Sequence, residues 1–156
     1  EGVYIIPAFV GLGAPYWNSD CEGIITGLTR GSNKKHIIRA ALESIAYQVN
    51  DLLDCIKKDT NKSLTRLNVD GGATNNSFLL QFQSDISKIE ILKPSNIEST
   101  ALGAGILAGL KSSFWKSTDE IFQYKKMDKK YTPQMNDSKR KKAINGWKKA
   151  IRKINN

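Results

Sequence analysis

Residues 64–78 read LTRLNVDGGATNNSF, and the reading of the fold turns on this stretch. An apolar strand ends at Asp70, two glycines follow at once, and Asn75 or Asn76 opens a helix. At such a junction the exposed N–H groups and the positive end of the helix dipole favour an anion, and glycine lets a phosphate come close to the backbone. In open α/β sheets ligands gather at the carboxyl ends of strands. The same Gly-Gly turn and Asn cap are also an ordinary way for a strand to become a helix. Taken alone, the stretch therefore carries both a purely structural reading and an anion-binding one.

Working outward, helical and extended patterns alternate. Upstream, Ile38, Leu42, Ile45, Val49, Leu52 and Ile56 repeat at helical spacing over residues 34–57, with Ser32 or Asn33 placed to cap the start. Downstream come a helix over 75–87, a strand over 89–93 closed by Pro94, and a helix over 99–112 that begins at a Ser or Thr cap. Alternation of this kind predicts an α/β fold with helices layered on a sheet. Near the start, VYIIPAFVGLG and GIITGL are apolar runs separated by the turn-rich APYWNSDCEG.

Composition narrows the functional classes. The 156 residues carry a net charge of +9, but unevenly: residues 1–110 hold 10 basic and 11 acidic side chains, whereas residues 111–156 hold 14 and 4. In the tail, Ile144, Trp147, Ile151 and Ile154 share one helical face, so the reading is an amphipathic helix docked on its own domain with a solvated basic side. A nucleic-acid binder would interleave such charge with stacking aromatics or a groove-reading motif, and no nucleic-acid partner is expected. No apolar run approaches the roughly 18 residues of a membrane span. Cys21 and Cys55 read as reduced thiols of a soluble, cytoplasmic protein. EGVYIIPAFV lacks the basic start of a signal peptide, and the chain reads as a piece of something longer.

Other candidates are weaker. No Walker A motif occurs. The run GAGILAG at 103–109 lies inside a helix, not at its entry, so its glycines read as a site of close packing against a tight neighbour. His36, in the first turn of the long helix, reads as a surface or capping residue. Glu43 and Asp51 lie on nearly one helical face, which suits either a metal or, preferably, a solvated or salt-bridged surface.

These residues also carry a resemblance. GVYIIPAFVGLGAPYWNSDCEGIITGLTRG, NKKHIIRAALESIAYQ, VDGGATNNSFLLQFQSDI and ESTALGAGILAGL together resemble, in order, the C-terminal part of the FGGY carbohydrate kinases. The family's signature is met by Gly23, Ile25, Gly27 and Leu28, then by His36, Ile37, Ala40, Ala41, Leu42 and Glu43. The loop GLGAPYW stands where sugar kinases of the family usually carry Gly-Glu-Arg, which favours glycerol over pentoses or gluconate as the phosphoryl acceptor.

The resemblance implies an actin-like, RNase H-like ATPase lobe on a mixed sheet, one of two lobes closing around ATP and Mg2+. Residues 1–115 would form part of the C-terminal lobe, and 116–156 a basic helical extension packing on it. Nucleotide contacts fall on Gly72, at a phosphate-facing turn whose backbone angle would oppose a branched side chain, and on Asn76, one turn into the following helix. Gly71 joins them as the neighbour in the turn. The whole enzyme, a homo-oligomer, would transfer the γ-phosphate of ATP to glycerol, giving sn-glycerol 3-phosphate. Its base and glycerol site are expected upstream of Glu1, so these residues alone are expected to be inactive. Another FGGY sugar kinase, or a noncatalytic actin-like nucleotide-binding module, is the alternative.

Overall fold

The computed structural model describes residues 2–122 and 127–155. A first ribbon pairs β1 (Tyr4–Ile6) antiparallel with β2 (Ile24–Thr26). Helix α1 (Lys34–Thr60) follows, then β3 (Arg66–Asn68), a 3-10 turn (Gly72–Asn75) and α2 (Ser77–Ser87). The chain continues through β4 (Glu90–Pro94), α3 (Ser99–Lys111), the short α4 (Thr118–Phe122), β5 (Met127–Tyr131) and α5 (Asp137–Ile151). The sheet order is β3-β4-β5, with β3 parallel and β5 antiparallel to β4. The fold is thus α/β on a mixed sheet.

Local chemistry explains the helix ends. Asn33 caps α1 by accepting from the Lys35 amide at 3.0 Å, and His36 reciprocates, its Nδ1 accepting from the Asn33 amide at 3.2 Å. His36 is therefore a capping residue. Helix α1 stops at Asn61, whose left-handed φ of 51° suits an Asn C-cap. The expected Ser or Thr cap of α3 is absent: Glu98 holds the N-cap position and makes no side-chain cap bond.

The main core forms where α1, α2, α5 and the β1 ribbon meet. Tyr47 stacks on Trp147 with centroids 5.0 Å apart and meets Phe82 edge-on at 5.4 Å. Trp147 is only 1% exposed, and Ile6, Ile86 and Ile151 close around the group. A second cluster joins Leu53 and Leu80 to Ile89, Ile91 and Tyr131 on the sheet.

Burial on two helices is decided by their surroundings. The apolar row of α1 does not face the core: Ile38 is 59% exposed, and Ile45, Leu52 and Ile56 are exposed with it. The buried face is instead Ala40, Ala46, Tyr47 and Leu53 with Glu43, Ser44, Asn50 and Asp51. Small residues and Tyr47 let α1 approach α2 and β1 closely, and the two carboxylates share that face because they find partners there. Glu43 accepts from Arg39 Nε at 2.6 Å. Asp51 accepts from Tyr16 Oη at 2.7 Å and Trp147 Nε1 at 2.6 Å. Neither carboxylate is on a solvated face, though Glu43 is salt-bridged to Arg39 as the alternative reading had it, and among the described residues no cluster of three or more His, Cys, Asp or Glu side chains is placed to hold a metal.

The expectation of close packing is corrected at α3, which buries no residue. A Cβ at Gly103 or Gly105 would meet nothing within 4 Å, so no tight neighbour compensates for these glycines. Gly109 differs: a Cβ there would run into the Trp115 ring, which folds back over it.

The tail contains a strand as well as helices. MDKKY has no apolar alternation to announce it, yet β5 forms because β4 offers an open edge on which Tyr131 pairs opposite Ile91. Asp85 of α2 then pins the turn into α5, accepting from the Gln134 and Met135 amides at 2.6 and 3.1 Å. Arg140 Nε donates to the Ile86 carbonyl at 2.6 Å.

Candidate functional site

The junction after β3 is built by short hydrogen bonds. The Val69 amide donates to Leu92 O at 3.1 Å, continuing the β3-β4 pairing, and the Gly71 amide donates to Ile97 O at 2.9 Å. Gly71 has φ +82°, a conformation that L side chains rarely adopt, and it turns the chain out of the strand. Thr74 is buried and ties the turn together, its amide and Oγ1 both donating to Gly71 O, at 3.0 and 2.7 Å. The amides of Gly72 and Ala73, first in the turn, have no backbone acceptor among the described residues. A Cβ built on Gly71 or Gly72 meets no atom within 4 Å, so the outer side of the turn is open.

Gly71, Gly72 and Asn76 thus sit together on one turn at the carboxyl end of β3. Two details differ from the sequence reading. The strained backbone angle belongs to Gly71 and not to Gly72, because the reversal occurs before the 3-10 turn begins. Asn76 lies at the N-cap of α2 and not a turn into it: its Oδ1 accepts from the Leu79 amide at 3.1 Å. Asn75 is the last residue of the 3-10 turn and caps nothing, because that turn consumes Gly72 to Asn75 before the α-helix starts. Oδ1 is committed to the cap, and Nδ2 is the atom of the Asn76 amide that takes no part in it.

A second polar centre was not singled out as a unit from sequence. Asp51, Tyr16 and Trp147 are 35 and 96 residues apart along the chain, yet they join α1, the loop after β1 and α5 through one carboxylate oxygen. Burial pushes the Asp51 carboxyl above its ordinary value, ahead of the opposing effect of the bonds from Trp147 and Tyr16. The same burial, with the carboxylate beside it, pushes the Tyr16 hydroxyl up. Both donors serve as neutral groups that hold the carboxylate, an arrangement that fastens elements together.

A parallel strand opening through Gly-Gly into a capped helix, beside a mixed sheet, is an α/β lobe whose open turn has room for an anion. Residues 1–112 match the FGGY family of carbohydrate kinases, C-terminal domain, and the chain belongs to that family. It is 54% identical over 153 residues to a glycerol kinase of Shewanella amazonensis, covering 98% of this chain and 31% of that protein. Its fold is similar to a Plasmodium falciparum glycerol kinase solved with ADP, at TM-score 0.86 and 40% identity over 98% of this chain and 31% of the other. A ligand-bound xylulose kinase from Lactobacillus acidophilus shares the fold at TM-score 0.79 and 26% identity, over 96% of this chain and 31% of the other. The actin-like ATPase arrangement of these kinases is therefore the fold of this chain. The chain spans about a third of the length of the curated relatives it matches.

Proposed function

We propose that this chain supplies one phosphate-binding wall of an ATP-dependent glycerol kinase, with the nucleotide's phosphates over the Gly71-Gly72 turn and Asn76 Nδ2 donating to them. The observation that carries this reading is the open glycine turn, with the Gly72 and Ala73 amides presented at the carboxyl end of β3. Preorganised backbone donors hold phosphoryl charge without reorganisation, and phosphoryl transfer depends mainly on positioning and electrostatics. Mg2+ would enter on the nucleotide's own phosphates. The base toward glycerol and the glycerol site would come from the part of a family member that this chain does not span. Cytoplasmic location and assembly into a homo-oligomer belong to the same reading. Among the described residues no helix is long and apolar enough to cross a membrane.

The reading is tested by exchanging this chain for the matched stretch of the Shewanella glycerol kinase. In that chimera, Gly72→Val is expected to raise KM for ATP about tenfold or more while KM for glycerol moves less than about twofold, since a branched side chain fills the space a phosphate needs. Equal damage to both constants, or none, would count against the assignment. Asn76→Asp separates binding from folding, because it keeps a capping oxygen but replaces the amide donor with a carboxylate. It should weaken ATP and leave the melting temperature near that of the parent.

A further inference from the structure

A phosphate wall at this turn works only if the Gly72 amide points outward, and the glycines by themselves do not make it do so. The Gly71-Gly72 peptide carries no side chain on either flank, and a Cβ at either position would meet no atom within 4 Å, so nothing steric stops the peptide plane from rotating. Its orientation is set by hydrogen bonds instead. The peptide is trans, so its carbonyl and its N–H lie on opposite edges of one plane. Whatever holds the Gly71 carbonyl inward therefore turns the Gly72 N–H outward.

That hold comes from Thr74. The Gly71 carbonyl accepts from this residue twice, from the amide at 3.0 Å and from Oγ1 at 2.7 Å. The amide bond is the ordinary ladder bond of a 3-10 turn and needs no particular side chain. The shorter bond needs a hydroxyl, and at 5% exposure Thr74 keeps it away from competing water. On the other flank the Gly71 amide donates to Ile97 O at 2.9 Å, which fixes the preceding peptide. The 71–72 plane is left as the part of the turn that depends on Thr74.

From this geometry we infer that Thr74 is a positioning residue for the nucleotide, its hydroxyl aiming the Gly72 amide at a phosphate oxygen by holding the Gly71 carbonyl on the opposite side. The glycines leave the turn open and Thr74 gives it a direction. For its ligand the inference rests on the nucleotide reading, but the orientation of the peptide does not, so the two can fail separately.

The test uses the same chimera with the Shewanella glycerol kinase. Thr74→Val keeps the branched shape and removes the hydroxyl, whereas Thr74→Ser keeps the hydroxyl and removes a methyl. Without nucleotide, the amide of residue 74 should exchange with solvent at least about fivefold faster in Thr74→Val and within about twofold of the parent in Thr74→Ser, while the Leu79 amide under the Asn76 cap is unchanged in both. In turnover, Thr74→Val should raise KM for ATP about three- to tenfold and move KM for glycerol less than about twofold, with Thr74→Ser recovering most of the loss. Unchanged exchange in Thr74→Val would overturn the inference. So would equal effects of the two variants, which would assign the role to methyl packing, or an equal rise in both Michaelis constants. An unmoved KM for ATP in Thr74→Val would overturn it as well, provided Gly72→Val raises that constant. If Gly72→Val leaves it unmoved, the nucleotide reading fails and the exchange comparison alone decides whether Thr74 orients the peptide.

Discussion

Helices α5 and α3 make an instructive pair. Helix α5 is crowded with lysine, yet it is anchored: Trp147, Ala150 and Ile151 are buried, and Trp147 spans from the Tyr47 ring to the Asp51 carboxylate. Helix α3 is far more apolar and buries nothing, with Leu107 70% exposed. Burial is decided by what stands opposite a face and not by how apolar the face is. A helix with three well-placed residues and a partner is fixed, whereas one with many apolar residues and no partner is a surface.

The contrast is open to direct attack. The largest effect is expected at Trp147: Trp147→Ala should cost about 3–5 kcal/mol in chemical denaturation, from the lost packing and the weakened Asp51 hub. Leu107→Ala should change stability by less than about 0.5 kcal/mol. Similar costs at the two sites would mean that α3 is packed after all.

Glycines sharpen the same comparison. A Cβ at Gly146 of α5 would lie within 3 Å of three atoms of the Tyr4 side chain, so Gly146→Ala should destabilise by about 1–3 kcal/mol as that ring is displaced. Gly103→Ala in α3 meets open space and should stabilise by about 0.5–1 kcal/mol, since alanine is the better helix former. A thermal melt of the two variants separates the outcomes by sign.

A smaller effect is expected at the head of α2. Asn76→Ala removes the capping oxygen and should cost about 1 kcal/mol, while Asn75→Ala should be nearly neutral. The reverse order in urea titrations would place the cap one residue earlier.

The last prediction concerns pH at the Asp51 hub. Its carboxyl is raised above 3.8 in the fold by burial, with Asp54 adding to the rise and Trp147, Tyr16 and Lys148 opposing it. A native acid with a raised value holds its proton to higher pH than the unfolded chain does. Its contribution to stability is therefore fully present below 3.8 and is lost as pH rises through the native value. The stability difference between the parent and Asp51→Asn should accordingly shift against the parent as pH rises through that window. A flat difference would show that the bonds from Trp147 and Tyr16 offset burial completely. Glu90 and Asp137, held low by Lys130 and Lys88, act in the opposite direction in both proteins and cancel in the comparison.

Elements with local signals were legible in the sequence. Helix α1 could be read from its period and a cap at Ser32 or Asn33, and the glycine turn from Gly71, Gly72 and the asparagines after them, because capping and left-handed backbone are properties of a few neighbouring residues. The cap was legible only as Asn75 or Asn76, because a 3-10 turn and an α-helix share the same start signals, and only the geometry shows which ladder Asn76 heads. Strand β5 was not legible, since MDKKY pairs for want of any other partner at the β4 edge.

By itself, then, the sequence determined the alternation of helices and strands, the glycine turn and the amphipathic tail, all of which arise within a dozen residues of chain. Tertiary structure alone decided which face of α1 is buried, that Asp51 would bind Tyr16 and Trp147, and that α3 would stand uncovered. The physical reason is that periodicity identifies an apolar row but not its partner. On α1 two faces compete for the core, and the one lined by alanines and Tyr47 wins because it lets the helix come close enough to pack.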